Sequence, residues 1–140
     1  MKKYKIYLDD IRTPHDPSWK VVRDYNSFKR IILHLELDNI EVISLDHDLG
    51  SSSINEYFNN VIVNYELNYN NIHENTGLDC AKWLIDKCIT TKAILPQIFT
   101  HSANPIGAAN IMGYVNAYLR SKNLEQSCIR IRIPHSIKKD

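Results

Sequence analysis

The chain has 140 residues, 44% of them hydrophobic, which suits a single domain over 1–140 that can bury a real core. Seventeen basic against sixteen acidic side chains leave a formal charge of +1, which excludes the field needed to wrap duplex nucleic acid or coat an anionic membrane, though not a small anion held locally. No apolar run approaches the ~20 residues of a spanning helix, so the chain reads as soluble and cytoplasmic.

Residues 3–8 form a first strand, ended by Asp9 and Asp10. Pro14 and Pro17 then break the segment 11–17, so the helix usual between a first and second strand is reduced or missing. A short second strand, 19–25, suits a sheet edge. Phe28, Ile31, Ile32 and Leu35 make the apolar stripe of a helix capped by Asn26 or Ser27. A third strand, 40–46, runs into Ser44-Leu45-Asp46-His47-Asp48-Leu49-Gly50, two carboxylates and an imidazole in consecutive positions that no hydrophobic core requires.

Residues 51–75 are an insertion with eight asparagines, yet Ile54, Tyr57, Phe58, Val61, Ile62 and Tyr65 keep helical spacing after a Ser53/Glu56 capping box. A helix is predicted at 54–66, with 68–75 mobile. Thr76 and Asp79 form a second capping box, opening a helix with Ala81, Leu84, Ile85 and Cys88 on one face and ending before Pro96. Cys80, Cys88 and Cys128 lack metal-ligand spacing, and the first two fit small buried thiols of that helix. The fourth strand, 97–100, leads into His101, Ser102 and Asn104, with Asn104 as N-cap and Pro105 as first residue of a helix that buries Ala108, Ile111, Met112, Val115 and Leu119. Residues 128–133 alternate as a last strand.

Alternating strands and helices predict an α/β fold, a three-layer parallel sheet of five strands in the flavodoxin-like order 2-1-3-4-5, with an inserted helix after the third strand. That order sets strands one, three and four side by side, and their polar ends open into one crevice. Asp9, Asp10 and Asp46 meet there, a self-repelling cluster of hard oxygen ligands that suits a divalent metal, magnesium or manganese. The plainer alternative pairs Asp10 with Arg12 and leaves Asp48 to cap a turn. His47 and His101 can carry protons to and from a reacting group, act as structural hydrogen bonders, or ligate a softer metal. Ser102, Asn104 and the helix start at Pro105 offer a phosphate site, with Gly107 permitting close approach, or they form an ordinary cap. Arg12 can add a bidentate contact to the same anion. Arg130 and Arg132 read as exposed strand positions whose crevice end can reach the site. His15, His34, His73 and His135 lack comparable neighbours.

LDDIRTP, SLDHDLG, TGLDCAKWL and HSANPIGAANIMG, in that order from residue 8 to about 113, resemble the cyclic-phosphate-processing receiver-like domains, a branch of the response-regulator receiver fold. The resemblance implies that Asp9 and Asp10 bind magnesium, that Asp46 matches the phosphate-accepting aspartate, and that Thr100 or Ser102 supplies the hydroxyl after strand four. Two receiver features are missing: the lysine after strand five, where Ile133-Pro134-His135 stands, and the last, output-coupling helix. His47, Asp48, His101 and Asn104 are what the branch adds, and they imply processing of cyclic or linear nucleotide phosphates. The insertion lies outside the family pattern. Its Tyr57, Phe58, Tyr65 and Tyr69 either form a lid that stacks on a base or pack the inserted helix, the latter being simpler.

The function these readings favour is a metal-dependent phosphoesterase for a cyclic phosphate or cyclic nucleotide. Catalysis falls to His47, His101 and Asp46, ligand binding to Arg12, Asp48, Ser102, Asn104 and Gly107, and metal binding to Asp9, Asp10 and Asp46. The alternative is a module that accepts phosphate or sequesters a nucleotide signal without cutting it.

Overall fold

The computed structural model describes residues 3–137. Its strands are β1 (Tyr4–Leu8), β2 (Arg12–Pro14), β3 (Trp19–Val22), β4 (Ile40–Leu45), β5 (Gln97–Thr100), β6 (Ile129–Arg130) and β7 (His135–Ile137). Five of them make one parallel sheet in the order β3-β1-β4-β5-β6. Counted along that sheet, this is the predicted 2-1-3-4-5 order of a receiver-like fold.

Strand alternation divides the residues between two faces. Ile6, Leu8, Ile43, Leu45 and Ile98 join one core with Phe28 and Ile32 of α1 (Tyr25–Leu35) and with the inner faces of the two long later helices. All three long helices therefore lie on the same side of the sheet. The opposite side carries Lys5, Tyr7, Ser44 and Phe99, and among the described residues no helix covers it. The second helical layer expected of a three-layer fold is missing for a local reason. The link from β1 to β3 is too short and proline-rich for a helix, and the chain after β6 returns as β7.

Several element ends differ from the sequence reading. The second strand stops at Val22, because Asp24, in extended conformation, caps α1 by accepting from the Ser27 amide at 2.7 Å. The inserted helix begins at Ser51 rather than 54, as α2 (Ser51–Glu56), a π-helical turn over Tyr57–Val61 and α3 (Ile62–Asn64), ended by Tyr65 in the left-handed region. Ser53 and Glu56 do not form a capping box. Glu74 bonds both the amide and hydroxyl of Ser53 as well as the Ser52 hydroxyl, whereas Glu56 turns away to Asn60, the Asn68 amide and Asn71. These two carboxylates pin the segment 68–75 that was expected to be mobile.

The helix α4 (Gly77–Thr91) starts at the predicted Thr76/Asp79 capping box, and α5 (Pro105–Ser121) at Asn104, whose side chain accepts from Ile106 and Gly107 amides at 3.1 and 3.0 Å. The three cysteines are free and buried, and burial pushes the Cys88 thiol to about 11 and Cys128 to about 12, which leaves them unreactive. The last strand is shorter than predicted, only Ile129–Arg130. Beyond it β7 pairs antiparallel with β2, Arg12 opposite Ile137 and Pro14 opposite His135, so part of the proline-bearing segment is regular after all. Pro14 is tolerated because this two-stranded ribbon leaves one edge of each strand unpaired. Among the described residues no helix is long and apolar enough to cross a membrane.

Candidate functional site

The register of the sheet builds the site. Leu8 pairs with Leu45 and Leu45 with Thr100, so the next residues, Asp9, Asp46 and His101, leave the sheet at one level. The backbone ladder runs one step further to hold them, Asp46 N–H donating to Leu8 carbonyl at 2.9 Å and His101 N–H to Leu45 carbonyl at 3.1 Å. Asp9, Asp10 and Asp46 each bring one carboxylate oxygen within 4.8 Å of the others. The alternative pairing of Asp10 with Arg12 is not formed. Arg12 instead places Nε 3.8 Å from Asp9.

The three carboxylates are not equivalent. Burial raises the Asp9 carboxyl, but a hydrogen bond from His101 and the amides of Arg12 and Ile11 outweigh it and hold Asp9 below its ordinary value. Burial pushes Asp46 well above the carboxylate range, with Asp9 adding repulsion, and the same two causes raise Asp10. Asp9 is thus the fixed anion and Asp46 the group that resists ionisation. Such a cluster fits a divalent metal. Its donors are hard oxygens, Asp46 is buried with no ion pair among the described residues, and a bound cation would relieve the repulsion. Magnesium and manganese both suit this set. Neither histidine joins it, so the softer-metal alternative finds no ligand set among the described residues.

His101 is 8% exposed and held on every side. Its Nε2 lies 3.1 Å from Asp9, its Nδ1 2.7 Å from the Ser44 hydroxyl, and its ring stacks on Tyr7 at 4.2 Å. Burial lowers its pKa against the raising effect of Asp9, which favours the neutral ring. His47 is fully buried, with Nδ1 2.6 Å from Asp48 and Nε2 2.9 Å from the Tyr69 hydroxyl. Asn110 donates to the same hydroxyl at 2.9 Å, and since the Asp48 carboxylate only accepts, a neutral His47 carries its proton on Nδ1 and accepts from Tyr69 at Nε2. Both imidazoles therefore stand behind carboxylates rather than facing open space.

A cavity of about 190 Å³ lies over the cluster. Asp10, Asp46, Asp48 and Arg12 line its polar part, and Tyr57 and Phe58 of the insertion its apolar part. Phe58 is 59% exposed, so packing does not account for it. Asp48 does more than cap a turn, holding His47 and accepting from Asn104 Nδ2 at 3.3 Å. Other predicted binding groups are already engaged. Asn104 Oδ1 and Ser102 Oγ take up the N–H groups at the start of α5, and Thr100 Oγ1 donates to Leu45 carbonyl. The space beside Gly107 is filled by the His47 ring, since a Cβ there would lie 2.4 Å from His47 Cγ. Gly107 admits a side chain of the site and not a ligand.

Sequence reasoning missed Asn110 and the bond of Ser44 to His101, and it gave Tyr69 a place in a lid or in packing rather than against His47. No periodicity marks them. The only signal for Tyr69 is an aromatic in a stretch of asparagines. It also missed Arg23, which bonds the carbonyls of Asp9 and Arg12 and the Thr13 hydroxyl and so fixes the loop beyond β1.

A family model described as the cyclic-phosphate processing receiver domain matches residues 4–117, most of the chain. No curated protein and no solved structure matches it.

Proposed function

The chain belongs to the cyclic-phosphate processing receiver family, and from that premise we propose that it is a metal-dependent phosphoesterase that opens the ring of a cyclic phosphate or cyclic nucleotide. The observation that carries this reading is the convergence of Asp9, Asp10 and Asp46, the last two of them lining a cavity with a guanidinium in its wall and two aromatic rings at its edge. Asp9, Asp10 and Asp46 would hold a divalent cation, which would supply positive charge against the phosphoryl oxygens.

Hydrolysis adds water to phosphorus, breaks one ring P–O bond, and leaves the freed ring oxygen with a proton. The chain must therefore accept a proton from water and return one to oxygen. Asp48, backed by His47 and Tyr69, is the carboxylate–imidazole pair on the cavity wall that can hold it, while Asp9, kept anionic by His101 and two amides, serves the metal site. Arg12 orients the phosphate, and Tyr57 and Phe58 offer a base a stacking surface. The phospho-receiver alternative loses support, since the receiver lysine has no counterpart and the Thr100 hydroxyl is committed to a backbone carbonyl.

The test is turnover of 2′,3′- and 3′,5′-cyclic mononucleotides and of cyclic oligonucleotides with magnesium, manganese or chelator. Release of a phosphomonoester only with metal is expected, abolished in Asp46→Asn and His101→Ala. Tyr69→Phe should lower kcat about tenfold with KM little changed, because it removes only the outer end of the proton path. Stoichiometric retention of intact nucleotide with no turnover would mean a binding module instead.

A further inference from the structure

A second cavity, of about 820 Å³, shares Arg12 and Ala103 with the first. One side is the β2–β7 ribbon, the other the chain leaving β5 and β6. Arg12, Arg130 and Arg132 line it together with His15, His101 and His135, and among the described residues no carboxylate does. In a chain of formal charge +1 this is a local separation of sign. Carboxylates gather on one side of Arg12 and guanidinium groups on the other.

The cationic lining is positioned as well as concentrated. Arg130 is anchored by Nε to Ser102 carbonyl at 3.0 Å and by Nη2 to Ala103 carbonyl at 3.2 Å, while Arg12 Nη1 donates to His101 carbonyl at 3.3 Å. Each guanidinium has five N–H donors, so donors remain on both. Arg132 makes no hydrogen bond or ion pair among the described residues. Arg12 and Arg130 are planar donor forks held by backbone carbonyls. Of the three arginines only Arg12 has a carboxylate in ion-pair range among the described residues, Asp9 at 3.8 Å, so the wall keeps a net positive charge of the kind that recognises phosphate. Arg130, Arg132 and His135 all lie beyond the family-matched span.

We infer that this cavity is an anion site that takes a second phosphate of the ligand, making the substrate a nucleotide with two phosphates, one on each side of Arg12. The anion site stands on its own, and the two-phosphate substrate rests on the phosphoesterase reading.

The first experiment is calorimetric titration of the purified protein with inorganic pyrophosphate in chelator, where the metal-free acidic cavity repels anions. Wild type binds. Arg132→Glu weakens binding at least tenfold, while Arg120→Glu, an equal charge change at the exposed end of α5, stays within twofold of wild type. Absence of binding by wild type, or equal loss in both variants, overturns the site. The second compares kcat/KM for a cyclic nucleotide with and without an additional phosphate. The ratio falls at least tenfold in Arg132→Glu, and an unchanged ratio overturns the two-phosphate substrate. If wild type hydrolyses neither compound yet binds pyrophosphate, the phosphoesterase reading fails and the anion site is upheld.

Discussion

Two glycines of one helix give a test of how His47 is seated. Gly107 and Gly113 both lie in α5, and replacing a helical glycine with alanine gains about 0.5–1 kcal/mol from backbone entropy. At Gly113 a new Cβ meets nothing within 4 Å, so that gain is realised in full. At Gly107 the Cβ would lie 2.4 Å from His47 Cγ and 2.7 Å from Nδ1, about an ångström inside ordinary contact. The ring cannot turn aside cheaply. It is fully buried and bonded at both nitrogens, to Asp48 at 2.6 Å and to Tyr69 at 2.9 Å. Overpacking costs about 1–3 kcal/mol, and losing or straining one of these bonds about another 1 kcal/mol. Gly107→Ala should therefore be about 2 kcal/mol less stable than wild type and Gly113→Ala slightly more stable. Urea unfolding reads both midpoints, and in a chain of this size the gap corresponds to roughly 10 °C in Tm. Equal midpoints for the two variants would refute the placement of His47 against the helix.

Asp46→Asn should stabilise the metal-free protein by about 0.5–3 kcal/mol, since it removes a buried carboxylate repelled by Asp9 while keeping an acceptor for the His47 amide. The same change should erase the rise in Tm on adding magnesium or manganese, which in wild type reflects a stabilisation of about 2.7 kcal/mol at a hundredfold excess over Kd; a variant that still responds to metal would remove Asp46 from the ligand set. Stability against pH separates the groups by sign. Asp9 is held below its unfolded value, so its contribution is present above about pH 4 and lost as pH falls through its folded value. His101 is also held low, so the unfolded chain takes up its proton first and stability declines as pH drops below about 6.5. Asp46 and Asp10 are raised and act oppositely, stabilising the acid end and withdrawing that stability as pH rises above about 4. In chelator the wild-type Tm profile should flatten or turn down towards neutrality, and Asp46→Asn should restore a rise from pH 4 to 7. Identical profiles for the two proteins would contradict the assignment of Asp46 as the group that resists ionisation.

What could be read from the chain divides along physical lines. Strands and long helices followed from periodicity and caps, because apolar stripes such as Phe28, Ile32 and Leu35 and caps such as Asn104 act over a few residues. The meeting of Asp9, Asp46 and His101 followed from strand order, since each sits just past a parallel strand end. The roles of His47, Gly107 and Ser102 did not, because they depend on which lone pair or cavity a neighbour far along the chain has already taken. Tyr69 occupies one nitrogen of His47 from 22 residues away, and nothing in the local sequence announces it. Pairing of β2 with β7 was illegible for the same reason. Residues 12–14 look like a proline-broken loop until a partner strand arrives from the far end of the chain.

That distribution of legible and illegible parts bears on how the site divides its work. The carboxylates and both imidazoles sit on sheet ends and helix starts within 4–117, positions held by backbone ladders and closely packed side chains, where a change of one atom is felt. Tyr57 and Phe58 come from the insertion, whose ends are tied together by Glu74. Arg130 and Arg132 come from the segment after α5. Chemistry that needs fixed carboxylate geometry is therefore built on the rigid part. The surfaces that would choose among ligands are carried on two peripheral segments that can vary without moving an aspartate. A metal-bound phosphate centre needs the same few oxygens whatever nucleotide carries it, whereas a base and a second phosphate differ from ligand to ligand. Substitutions at Tyr57, Phe58 or Arg132 should accordingly act on which ligand is used, and those at Asp9, Asp10 or Asp46 on whether any is.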